Sequence, residues 1–272
     1  GTSGDRVIEH WHGEKFAKPI QRTKEYIEII NTIVSGEKLF YDGQIFKLQR
    51  GFKLLFEPPR KHIPIYVASI SPKSMQSLAT AADGWMPIYW PKSKFMDGKK
   101  MIGEASKAAG RAADSVECVA SLTVVINPDE QKAKMQAAGP ISWYVTNMGD
   151  FYHEMLTRNG FGEEVAAMRK VAETHKPPPF GTNPELMAAM GDRMLEETAI
   201  WGDLETVAAG IEERRQLGVD LPSISMPQGP LDHVGHSAEL GGQFSLGVPA
   251  RPMENVTFGL GQDQAAQSSG YG

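Results

Sequence analysis

Four short stretches of this chain carry residue types suited to chemistry. Ala68-Ser69-Ile70-Ser71-Pro72 leads from an apolar run into a helical one. The first amides of a helix lack intrahelical partners and favour an anion, so Ser69 and Ser71 suit a phosphate-bearing ligand. Ser71 followed by proline is equally a plain helix cap. Gly1-Thr2-Ser3-Gly4-Asp5 is small enough to let a backbone approach a ligand closely, or is simply a flexible end. His10-Trp11-His12 offers imidazoles for proton transfer, and two histidines spaced by two share a side only in extended backbone. Tyr89-Trp90-Pro91-Lys92 offers aromatic faces and a cation for a flat ring with an anionic tail, or a hydrophobic plug beneath a loop.

These stretches need elements to hold them. Apolar residues at Tyr26, Ile27, Ile30, Ile33 and Val34 give a helix from about Ile20 to Gly36 with one buried face. Leu39–Tyr41 and Ile45–Leu48 flank Asp42-Gly43 as a hairpin. Residues 49–62 form a polar crossing segment. From residue 63 the pattern alternates strand and helix, and four strands are expected, at 63–69, 85–90, 117–126 and 222–226. Such alternation predicts right-handed βαβ units on a parallel sheet. Ligands in such sheets gather at the carboxyl ends of strands, which puts Ser69–Ser71 and Tyr89–Lys92 on one rim. Asn127-Pro128, Asn183-Pro184 and Asp203 read as further helix starts.

Composition limits the possibilities. The chain has 272 residues, 41% of them apolar, and a formal net charge of −5, so no basic excess points to nucleic acid. One cysteine, Cys118, excludes an intrachain disulfide and a cysteine metal site, and no histidine pair has metal spacing. No apolar stretch reaches membrane-spanning length, and no signal peptide opens the chain, so a cytoplasmic protein is expected. The last 44 residues, 229–272, hold nine glycines and no periodicity and read as a flexible tail after a domain at 1–228.

Taken together, Gly1–Gly13, the helix at Arg22–Tyr26, the Tyr41-Asp42-Gly43 hairpin, Ile63–Ala68 and Ala82-Asp83-Gly84-Trp85 resemble luciferase-like monooxygenases, in order, over about residues 1–227. They look most like the branch that uses the deazaflavin coenzyme F420. The resemblance implies a (β/α)8 TIM barrel with a flavin or deazaflavin at its carboxyl end. It implies that Ser69, Ile70 and Ser71 hold the phosphate side of the cofactor. Thr2, Ser3 and Gly4 would then lie near cofactor or substrate, and Tyr89 on the adjacent strand end. Coenzyme F420 is expected, with FMN as the alternative. The expected activity is hydride transfer to or from a small organic substrate, with catalytic residues unassigned and no metal. The segments that precede the opening loop in the family have no counterpart here. The expected architecture is therefore an incomplete barrel lacking the first strands, from a homodimeric parent, with a truncated, non-catalytic fragment as the rival reading.

Overall fold

The computed structural model describes residues 1–226. Helix α1 spans Pro19–Val34 and is followed by a hairpin of β1, Leu39–Asp42, and β2, Lys47–Phe52. The alternating region then runs β3 Tyr66–Val67, α2 Pro72–Leu78, β4 Gly84–Trp85, α3 Phe95–Ala108 and β5 Glu117–Ile126. A helical section comprises α4 Glu130–Asn147, α5 Phe151–Leu156, α6 Gly162–Thr174 and α7 Pro184–Thr198. The chain closes with β6 Ala199–Gly202, α8 Leu204–Gln216 and β7 Leu221–Ser225. The tail expected at 229–272 lies outside the described residues.

The sheet is parallel throughout, in the order β3-β4-β5-β6, with β7 also on β5. The alternation of strand and helix therefore produced the α/β layering expected of it. The strand count did not hold: five parallel strands are present among the described residues, not four. The additional strand is β6, which follows α7 with no turn between Thr198 and Ala199. Two expected strands are also shorter than their apolar runs. Pro64 and Pro87 have no N–H to give a ladder. The Ile65 amide instead donates to the Asp83 carboxylate at 2.8 Å, and beyond Trp85 a single bridge joins Ile88 to Ser121.

Strand β5 is the hub. Cys118, Ala120, Leu122, Val124 and Ile126 all enter one hydrophobic cluster with α2, α3 and α8 residues, while Val125 enters a second cluster among α4 to α7. That division is the two-residue period of a strand buried on both faces. Trp85 is fully buried in the first cluster, stacked on Phe95 at 5.4 Å and edge-on to Trp90 at 5.2 Å.

Three local expectations change. Residues 5–11 are helical, not a loop, since no glycine or proline interrupts Asp5–Trp11 and the Ile8 amide donates to the Gly4 carbonyl. On α1, Ile27 is buried as expected, but Tyr26 and Ile30 are exposed and Glu25 takes a buried place. The fourth helix begins from Asp129, whose side chain accepts from the Lys132 amide, and Pro128 precedes that cap. Pro184 and Asp203 occupy the helix-start positions expected of them.

Candidate functional site

A cavity of about 320 Å³ opens at the carboxyl ends of β3 and β4. Six of the seven residues singled out from the sequence line it: Thr2, Ser3, Gly4, Ser69, Ile70 and Ser71. They reach it by different routes. The opening residues run beside the end of β3, with Gly1 so close that an added Cβ would lie 3.0 Å from the Ala68 side chain. Ser3 holds a left-handed φ of 58° that turns the chain toward Gly4. Ser69–Ser71 form the turn from β3 into α2.

That turn is tied from three sides. The Trp85 indole donates to the Ser69 carbonyl at 2.8 Å. The Arg158 guanidinium donates to the Ile70 carbonyl at 3.1 Å. The hydroxyls of Ser69, Ser71 and Ser74 form a hydrogen-bonded trio, and Ser71 and Ser74 together make a capping box. Ser71 is thus both a helix cap and a part of the cavity wall. The polar trio faces an apolar remainder that includes Ile27, Val67, Leu78 and Ile88.

Tyr89 stands elsewhere. It is buried outside the lining, in a left-handed backbone conformation with φ 54°. Its ring meets Tyr144 at 5.2 Å and Tyr152 at 6.3 Å, both nearly edge-on, and those two rings line the cavity. Burial and the two neighbouring phenols push the Tyr89 hydroxyl far above the ordinary tyrosine range. Burial pushes Tyr152 up to about 12, so both remain neutral hydroxyls near neutral pH.

The rest of the Tyr89–Lys92 rim does not form a pocket for a ring and an anion. Trp90 packs into the core and donates to the Lys94 carbonyl at 3.0 Å, while Lys92 is held by Glu213 at 2.7 Å. The space beside them is about 20 Å³, room for little more than one water. His10 and His12 sit on a helical turn, not in extended backbone. His12 stacks on exposed Trp11 at 5.5 Å and lines an adjoining cavity.

Several lining residues were not expected. Ile20, Thr23, Lys24 and Ile27 present one face of α1, at the i, i+3, i+4, i+7 positions. Tyr144, Met148 and Tyr152 recur every fourth residue across the end of α4 into α5, a stripe visible in the sequence once its period is sought. Among the described residues, the lining includes no carboxylate and no imidazole. No cluster of three or more metal-ligating side chains occurs among them, and none of their helices is long and apolar enough to cross a membrane.

The donor set fits a molecule with a flat apolar part and an anionic part. Hydroxyls and backbone amides gather on the Ser69–Ser74 side, while aliphatic and aromatic faces form the other walls.

A family model described as luciferase-like monooxygenase matches residues 1–221. A Mycobacterium tuberculosis protein named as a coenzyme F420-dependent oxidoreductase is 27% identical over 236 residues, covering 80% of this chain and 65% of its own length. The 5,10-methylenetetrahydromethanopterin reductase of Archaeoglobus fulgidus is 29% identical over 229 residues, covering 84% of this chain and 67% of its own. The structure of the coenzyme F420-dependent tetrahydromethanopterin reductase from Methanopyrus kandleri superposes with a TM-score of 0.66 at 22% identity, over 88% of this chain and 70% of that one. At that identity the likeness is one of fold. The chain spans about two thirds of the length of the curated relatives it matches.

Proposed function

We propose a function from one premise: the chain belongs to the luciferase-like monooxygenase family. We infer that it is an oxidoreductase that binds coenzyme F420 in the cavity at the carboxyl ends of β3 and β4. The observation that carries this reading is the pairing, in one cavity, of the Ser69–Ser71–Ser74 trio with an apolar and aromatic wall. The names of the relatives favour the deazaflavin over FMN.

When bound, such a cofactor supplies hydride transfer, and the protein supplies binding, orientation and exclusion of water. Ser69 and Ser71, with the amides of their turn, would hold the phosphate-bearing side. Ile27, Ile70 and Leu78 would pack the ring system, and Tyr144 and Tyr152 would close the far wall. Thr2, Ser3 and Gly4 would approach the reacting end. The lining itself offers hydroxyls for hydrogen bonding and holds neither a carboxylate nor an imidazole. A cytoplasmic location and a homodimer belong to the same proposal; the buried thiol of the single cysteine is consistent with a reducing compartment.

The test is a fluorescence titration of this protein with coenzyme F420 and with FMN, alongside oxygen-uptake measurements. Saturable F420 binding that is weakened by Ser69→Ala and Ser71→Ala together is the expected result. Tight FMN binding with oxygen uptake, and no F420 binding, would replace the reading with that of a flavin monooxygenase.

A further inference from the structure

Beside the first cavity lies a second of about 310 Å³. The two share Gly1, Thr2, Pro19 and Thr23 as a common wall. Their chemistry differs. The second is lined by the cations Lys15 and Arg22, the rings of Phe16 and Tyr26, and the titratable side chains of His12 and Glu14.

The cations are available. Among the described residues neither Lys15 nor Arg22 forms an ion pair. Arg22 is steadied without being neutralised, since its guanidinium lies 5.6 Å from the centre of the Phe46 ring. Phe16 is fixed twice, by its amide donating to the Glu9 carboxylate at 3.1 Å and by ring contact with Phe151 at 6.2 Å. Tyr26 packs on Phe46 at 4.8 Å. The compartment is therefore a supported one, with two free positive charges and flat apolar walls.

We propose that this second cavity is the substrate compartment, and that it takes a small organic anion, a phosphate or carboxylate attached to an apolar or aromatic body. Arg22 and Lys15 would bind the anionic group, with the planar guanidinium able to engage two oxygens at once. Phe16 and Tyr26 would cover the body. The inference rests on the cofactor occupying the first cavity, since the shared wall then sets substrate beside cofactor.

The experiment is calorimetric titration of the protein with phenyl phosphate, benzoate and phenol, each with and without F420. Wild type should bind at least one of the two anions and bind phenol much more weakly. Phosphate and carboxylate sources are separated by which of the two binds. Arg22→Ala and Lys15→Ala should each weaken the bound anion about tenfold. F420 affinity should stay within about twofold of wild type in both. Arg22→Lys, which keeps charge but loses the fork, should fall between. Lys15 is an exposed side chain, so its variant tests the idea even if an Arg22 variant unfolds. Absence of anion binding, equal binding of phenol, or indifference to both substitutions would overturn the proposal. If F420 binds while the anions do not, only this inference falls. If the anions bind through Arg22 while F420 does not, the cofactor reading falls and takes the assignment as substrate compartment with it, leaving an anion site alone.

Discussion

Arg158 donates a hydrogen bond to the carbonyl of Ile70, 88 positions earlier, and so ties the helical section to the turn between β3 and α2. The same turn is held on its other side by the Trp85 indole. Its shape therefore depends on two side chains, neither of which belongs to it.

Removing the first tie should loosen the turn without unfolding the protein. Arg158→Ala is expected to weaken coenzyme F420 binding about fivefold, the size of one net hydrogen bond. The measurement is a fluorescence titration at matched ionic strength. An unchanged dissociation constant would show that the turn holds its shape unaided.

The second tie is part of the core. Trp85→Phe removes both the indole hydrogen bond and part of a fully buried ring, and should cost about 2–4 kcal/mol of stability. Urea unfolding followed by far-ultraviolet circular dichroism measures this. A loss below about 0.5 kcal/mol would contradict the assigned packing.

Glu25 predicts an acid limit to stability. Burial alone would raise its carboxyl. The Gln21 side chain and the Phe46, Gln44 and Ile45 amides override that by hydrogen-bonding the charged form, and hold it at about 2 against an ordinary 4.5. A group depressed on folding stabilises the fold above its unfolded value and loses that contribution as pH falls toward its folded one. Stability should therefore decline from about pH 4.5 to about pH 2. Glu25→Gln should be less stable at neutral pH and should flatten that decline. Thermal melts across the range would decide, and an unchanged slope in the variant would count against Glu25 as its source.

Cys118 predicts a silent thiol. Burial first, then the nearby Asp220 charge, push it up to about 12. The native protein at pH 8 should react with a disulfide reagent only as fast as it opens, and fully once unfolded. Rapid modification of the native state would mean that β5 is more exposed than described.

The layering is readable because the βα units of residues 63–126 carry local signals: apolar runs, the Ser71-Pro72 cap of α2 and Gly110 just past α3. The features without a local signal are set by distant residues. Four residues, Ala199–Gly202, are too few for a periodic signal, and β6 exists because β5 offers it a ladder at Thr123–Ile126. The hairpin turn spans Gly43–Phe46 instead of Asp42-Gly43 because Glu25, on another element, gathers its amides. For the site, Ser69–Ser71 stood out by residue type. Tyr144 and Tyr152 did not, because aromatic residues on a helix ordinarily signal core. Tyr89 was placed on the rim by its position after a strand, whereas its left-handed backbone turns it inward behind those two rings.

Gly1, Thr2, Pro19 and Thr23 each face both cavities, so two occupants would have one partition in common. A displacement of that partition to accommodate one occupant would reshape the wall against the other, because the same four residues line both. By linkage, whatever factor the first occupant imposes on the affinity of the second is returned unchanged. Substitutions at Thr2 or Thr23 should therefore alter that mutual factor, and with it the preferred order in which the two chambers fill.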